Sequence, residues 1–165
     1  MAYVKTWPPW TVTSLREKLD DLALLVDESV GLDPEVRAWL SRMLVVRSSG
    51  FLEQTAKEVC RTHVDERSGG IVRTFALTWL ERSKNPSPDN LSDLVGRFDA
   101  SFQAEFVNLL DSDDQRIRRE LSLLVDRRNK IAHGLNEGIS KEKAMSLKGV
   151  AIEVSDWLVL RFNPF

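Results

Sequence analysis

Residues 112–134 read SDDQRIRRELSLLVDRRNKIAHG, a stretch that predicts one long helix with both ends encoded. Ser112, followed three residues later by Gln115, forms a capping-box pattern at the start. Gly134 suits the left-handed conformation that ends many helices. Between these ends, apolar residues recur at spacings of four, three and seven, and they form a stripe that would face a core: Ile117, Leu121, Leu124 and Ile131.

An arginine interrupts this stripe. Position 128 falls on the apolar face, where a guanidinium is costly unless a carboxylate, a phosphate or a partner chain satisfies it. His133 follows in the last turn, on the same face as Asn129. Arg128 and His133 are five positions apart, which sets them about 140° from each other around an ideal helix. They can converge only if the last turn distorts or if a second copy meets the first across a two-fold axis.

The rest of the chain also predicts helices. Apolar stripes of helical period recur, and no alternating strand pattern, internal repeat or low-complexity tract is present. The second helix would open at Asp33-Pro34 and continue to about His63, unless it breaks at Ser48-Ser49-Gly50. The prolines of WPPW bar a helix near the N-terminus, so residues 1–12 predict an extended arm. We expect an all-α bundle of about five to six helices, forming a single domain over residues 1–165.

Composition narrows the class of protein. The chain is 42% hydrophobic and 29% charged, ordinary values for a globular domain, and its net charge of −2 means that any nucleic-acid site must be local. The single cysteine, Cys60, excludes an internal disulfide, and no membrane span or signal-peptide pattern is present, so we expect a cytoplasmic protein. The sparse histidines and cysteine lack metal-ligand spacing, and no glycine-rich phosphate loop occurs, so we expect no metal and no cofactor.

The residues Arg128-Asn129-Lys130-Ile131-Ala132-His133 resemble the Arg-x4-6-His signature of the HEPN superfamily, here of the RiboL-PSP-HEPN-like ribonuclease type. More loosely, residues 44–60, with Arg47 and Glu53, resemble the earlier core helix of the same fold, which extends the resemblance over most of residues 33–162. The resemblance implies a helical bundle that pairs as a homodimer. Many members of that superfamily are metal-independent endoribonucleases in toxin–antitoxin, phage-defence and CRISPR systems.

The resemblance also implies an activity. RNA would be cut in a cleft to which both copies contribute, by attack of a 2′-hydroxyl on the adjacent phosphate, leaving a 2′,3′-cyclic phosphate; DNA lacks that hydroxyl. His133 would act as general base or acid, Arg128 would hold the scissile phosphate, and Asn129 would orient either group. Glu53 would orient the arginine or the histidine. Arg47 would either support this cleft or pack its stem with its head in water.

Basic residues are frequent along the same helix. Residues 116–130 hold six Lys or Arg and two carboxylates, a local net charge of +4. The residues expected to bind the phosphate backbone of RNA are Arg116, Arg119, Arg127 and Lys130. The alternative is a solvated helix face with internal ion pairs, such as Glu120 beside Arg116. For Arg128 and His133 the alternative is a stem-packed arginine and a histidine favoured by the helix dipole.

A non-catalytic module is the competing class of function. Such a module would act in dimerisation, in RNA binding or as the partner of a nucleotidyltransferase. Under either reading, an antitoxin or defence protein is a possible partner. Some HEPN proteins carry a tyrosine two residues after the histidine, which a nucleotidyltransferase modifies; Leu135 stands there in this chain, so we do not expect that form of regulation.

Overall fold

The computed structural model describes residues 6–82, 84–135 and 138–165, and this part of the chain is helical with no strand. The helices, in chain order, are α1 (Trp10–Asp27), α2 (Pro34–Arg67), α3 (Gly70–Leu80), α4 (Pro88–Gly96), α5 (Ala100–Ala132) and α6 (Lys141–Arg161). A 3-10 turn, Glu28–Gly31, follows α1. The predicted all-α bundle of five to six helices is therefore confirmed.

The predicted N-terminal arm is only partly described. Residues 1–5 lie outside the described residues, and α1 already begins at Trp10, inside the range 1–12 that was assigned to the arm. Pro9 precedes the first helical residue and its carbonyl accepts the amide of Val12 at 2.9 Å. The prolines therefore mark the start of α1, because a proline needs no amide partner there.

α2 is the helix against which most of the others pack, since it contacts α1, α3, α5 and α6, while α4 packs against α5. Its start is as predicted: Asp33 accepts the amide of Glu35 at 2.8 Å, and Pro34 occupies the first turn. The small residues 48–50 do not break it. Ser48 is buried and donates its hydroxyl to the carbonyl of Leu44 at 2.7 Å, so a polar side chain is satisfied inside the helix.

The start of α5 differs from the prediction. The helix begins at Ala100, where the Asp99 carboxylate accepts the amide of Ser101 at 2.6 Å, and it is interrupted only at residues 112–115. There Asp113, Asp114 and Gln115 take left-handed φ values of 52°, 53° and 58°.

The predicted capping box at Ser112 is therefore wrong. The Ser112 hydroxyl donates to the carbonyl of Leu109 at 2.7 Å instead of accepting a downstream amide. Within the left-handed turn the Asp113 carboxylate lies 3.0 Å from Arg116 and forms an ion pair with it. Beyond the turn the predicted stripe is confirmed, because Ile117, Leu121 and Leu124 are fully buried and Ile131 packs against the core.

Gly134 ends α5 in the left-handed conformation that the sequence predicted, and the helix end is a Schellman motif. Gly134 has a φ of 73°, its amide donates to the carbonyl of Ile131 at 3.1 Å, and the amide of Leu135 donates to the carbonyl of Lys130 at 3.0 Å. These bonds place His133 directly after Ala132, the last residue of the helix, as its C-cap, with a φ of −86° and a ψ of 9°.

The buried apolar side chains form one core that includes residues from all six helices. Cys60 of α2 lies fully inside it, and burial raises the pKa of its thiol well above the ordinary range. A thiol kept protonated is not a nucleophile, so Cys60 is a packing residue. Within the described ranges, none of the helices combines the length and the apolarity that crossing a bilayer would require.

The left-handed turn makes a prediction about stability. We expect Gln115→Gly to raise the free energy of unfolding by about 1 kcal/mol, because a left-handed φ costs a residue with a Cβ roughly 1–2 kcal/mol and costs glycine nothing. Urea unfolding followed by circular dichroism measures this. The control is Ala104→Gly at an exposed helical position, which should lose about 1 kcal/mol. Equal destabilisation in both variants would rule out the left-handed turn.

The buried thiol makes a second prediction. In native buffer, Cys60 should react with a disulfide reagent such as DTNB only as fast as the protein opens, because the reagent needs an accessible thiolate. The labelling rate should rise in urea in step with the loss of helical circular dichroism. Complete labelling within the mixing time in native buffer would show that the thiol is not in the core.

Candidate active site

Arg128 lies half-buried near the end of α5. Its Nη1 atom donates to Oδ1 of the neighbouring Asn129 at 3.1 Å. This bond holds the guanidinium beside the helix and uses one of its five N–H donors, so the planar group keeps donors for an anion. The polar residue after the arginine therefore orients the arginine side chain within this chain.

Arg128 lines a groove of about 370 Å³ between α1, α2 and α5. The apolar walls of this groove, which we call the Arg128 groove, come from Leu15, Leu19, Val46 and Phe51. Its polar lining brings together the predicted Arg47, Glu53 and Arg128, so side chains far apart in sequence meet here. A Cβ at Gly50 would meet nothing within 4 Å, so the backbone of α2 is open to a ligand at this point.

Lys18 of α1 also lines the Arg128 groove, and the sequence argument did not single it out. It stands beside Leu19, a member of the apolar stripe of α1, and such a lysine is expected at the edge of any amphipathic helix. Only the packing of α1 against α2 places it near Arg47 and Arg128. With Lys18, the groove has three basic side chains and one carboxylate, a composition suited to a phosphate.

His133 does not line the Arg128 groove. It is exposed, and its amide donates to the carbonyl of Asn129 at 3.0 Å, so the helix stays regular up to this residue. An undistorted helix leaves Arg128 and His133 about 140° apart around the axis and about 7.5 Å apart along it. Of the two routes to convergence, distortion of the last turn is therefore not observed.

The predicted RNA-gripping residues have carboxylates beside them. The Nη2 atom of Arg116 lies 3.0 Å from both carboxylate oxygens of Glu153 in α6, and this bond raises the pKa of the arginine. Arg119 lies 3.1 Å from Asp114, and Lys130 lies 3.2 Å from Asp126 one turn away.

These ion pairs are also what the alternative, a solvated helix face with internal pairs, predicts. Arg127 is half-buried. The suggested pair of Glu120 with Arg116 does not form, and Glu120 instead accepts a hydrogen bond from Lys143 at 2.7 Å. Exposed pairs of this kind contribute at most about 1 kcal/mol, so a phosphate backbone could exchange with the carboxylates. RNA binding by Arg116, Arg119, Arg127 and Lys130 stays a prediction.

The other histidine, His63, has a structural role. Its Nδ1–H donates to the carbonyl of Phe162 at 3.0 Å, and its ring stands edge-on to those of Phe98 and Phe162. In the part of the chain that the structure covers, no three His, Cys, Asp or Glu side chains are grouped closely enough to hold a metal ion.

Comparison with known proteins bears on the fold and on the signature. The family model RiboL-PSP-HEPN matches residues 12–159, from the first turn of α1 to the last turn of α6. No curated protein and no solved structure matches the chain. Because the family match spans nearly the whole bundle and includes both Arg128 and His133, the chain belongs to the RiboL-PSP-HEPN family.

Proposed function

We propose that this protein is a metal-independent endoribonuclease. The observation that carries the proposal is the Arg128 groove, in which a half-buried arginine held by Asn129 lies with Arg47 and Lys18 around an open stretch of α2 backbone. Membership of a HEPN family supports it, since many HEPN domains cut RNA.

The chemistry needs a cationic site for the phosphate and a group that moves protons. In the proposed step, the 2′-oxygen bonds to phosphorus while the bond from phosphorus to the 5′-oxygen breaks. The 2′-proton passes to a base, and the departing 5′-oxygen takes a proton from an acid. The products are a 2′,3′-cyclic phosphate and a 5′-hydroxyl. Arg128 neutralises the charge that develops on the phosphoryl oxygens, and His133 supplies the proton transfer.

Pairing of two chains would complete this site. Within one chain His133 does not line the Arg128 groove, so we propose that His133 of a second copy reaches the groove across a two-fold axis. Asn129 then serves as the positioning residue for Arg128, and Glu53 serves the same purpose for the basic side chains of the groove. Arg47 and Lys18 would hold the flanking phosphates.

The proposed setting is a toxin–antitoxin or phage-defence system in the cytoplasm. An RNase without a cofactor would need a silencing partner, such as an antitoxin or another defence protein. Leu135 stands where some relatives carry the tyrosine that is modified, so silencing would act by binding rather than at that position.

A non-catalytic HEPN module is the second candidate. Two observations favour it: His133 does not line the Arg128 groove, and carboxylates accompany Arg116, Arg119 and Lys130. Such a module would act in dimerisation, in RNA binding or as the partner of a nucleotidyltransferase. It would fold and pair in the same way but leave RNA intact.

Incubation of the purified protein with RNA in EDTA separates the two functions. We expect cleavage that leaves cyclic phosphate ends. His133→Ala should lower the rate at least about 100-fold, because positioned proton transfer contributes about 10²–10⁴, and Arg128→Ala should lower it similarly. Arg37→Ala removes an exposed positive charge at the start of α2 and should change little.

Circular dichroism and thermal unfolding of each variant control for folding. Wild-type protein that leaves RNA intact, or a His133→Ala variant that cuts at the wild-type rate, would contradict the proposed enzyme. Loss of helical structure in Arg128→Ala would give Arg128 a structural role instead, and Arg128→Lys would then test the phosphate contact, since lysine keeps the charge without the planar fork.

A further inference from the structure

A second cleft adjoins the Arg128 groove. It lies between α2, the end of α3 and α4, encloses about 60 Å³, and shares Glu53 with the groove as a common wall. We call it the α4 cleft. The lining residues that matter here are Glu53, Trp79, Asn85, Asn90 and Arg97.

Arg97 lies over the ring of Trp79 in one wall of the α4 cleft. The guanidinium carbon of Arg97 lies 4.6 Å from the centre of the Trp79 ring. Buried apolar side chains, including Leu80 and Leu91, line the cleft beside this pair. Nucleobases in single-stranded RNA bind by stacking on aromatic rings or on arginine planes, so this wall suits a base.

Two side-chain amides form the polar edge of the α4 cleft. Asn90 Nδ2 donates to the side-chain oxygen of Asn85 at 2.8 Å and to the Asn85 backbone carbonyl at 3.0 Å. The side-chain oxygen of Asn85 thus accepts from both the side-chain amide of Asn90 and the backbone amide of Ser87. The Nδ2 group of Asn85 is a donor, and the carbonyl edge of a pyrimidine is its complement.

The size of the α4 cleft favours a small base. A volume of about 60 Å³ would hold roughly four to six waters at about 10–15 Å³ for each. A single six-membered ring therefore fits this space more readily than the fused rings of a purine. Arg82 and Lys84 are exposed at the mouth, where they can meet the phosphates on either side of a bound base.

We propose that the α4 cleft binds one pyrimidine base of the RNA strand whose phosphate enters the Arg128 groove. The inference rests on the proposed function in one respect, namely that the bound strand is the RNA to be cut. Binding of the base itself is measured without cleavage. It gives the enzyme a preference for pyrimidine at one position beside the cut. The shared wall at Glu53 is what links the two sites.

Binding of 2′-O-methyl hexanucleotides, which cannot be cleaved by 2′-hydroxyl attack, tests the proposal. By fluorescence anisotropy, the uridine hexamer should bind wild-type protein at least about tenfold more tightly than the adenosine hexamer. Arg97→Lys keeps the charge but removes the stacking plane, and it should remove most of this preference. Arg37→Ala should keep the preference, and Asn85→Ala provides a second variant should Arg97→Lys unfold.

Each outcome separates the cleft from the enzyme activity. Uridine preference lost in Arg97→Lys or Asn85→Ala supports the cleft, even where wild-type protein fails to cut RNA and the proposed enzyme is thereby overturned. Equal binding of the two hexamers by a protein that cuts RNA overturns the cleft alone. Free uridine monophosphate that binds as tightly as the hexamer would also overturn it, because the cleft would then be a site for a free nucleotide.

Discussion

The regular last turn of α5 is the constraint on which the proposed site depends. The Schellman motif at Gly134 ends the helix without distortion, and the backbone bond of His133 to Asn129 keeps the residues before it helical. With about 3.6 residues in each turn, an arginine and a histidine five positions apart then face different directions. A single chain presents Arg128 in the Arg128 groove, and its own His133 does not line that groove. In the proposed enzyme, joint action of the two groups therefore draws on a second chain.

The long helix α2 determines what surrounds Arg128. Ser48 of this helix is buried, whereas Gly50 leaves the backbone open at the Arg128 groove. The same helix therefore contributes both to the core and to the groove. Because α2 is unbroken over 34 residues, Arg47 and Glu53 have a fixed spacing along a single helix. Glu53 borders both the Arg128 groove and the α4 cleft, and this shared wall is the basis for proposing that one RNA strand contacts both.

Much of the fold could be predicted from local signals, because helix caps and apolar stripes act over a few residues. The start of α2 at Asp33-Pro34 and the end of α5 at Gly134 are examples. The failure at Ser112 has a physical cause: an earlier helix capped by Asp99 runs into the segment, so the Ser112 hydroxyl bonds back to the Leu109 carbonyl of that helix. The capping-box pattern was present, but a competing arrangement of the same residues formed.

The site was harder to predict, because its parts meet only through packing between helices. Arg128 and Asn129 were found from the signature, whereas Lys18 and the stacked pair of Arg97 and Trp79 carry no local signal. Besides Asp113, Arg116 pairs with Glu153, 37 residues later in the chain, and the charge count of residues 116–130 could not reveal that carboxylate.

Mixing two inactive variants tests the composite site most directly. His133→Ala and Arg128→Ala would be refolded together in equal amounts, so that about half of the pairs contain one chain of each kind. Each mixed pair has one site with an intact Arg128 from one chain and an intact His133 from the other. We predict recovery of about a quarter of the wild-type cleavage rate. No recovery from variants that fold and pair normally would contradict the claim that the two side chains act from different copies.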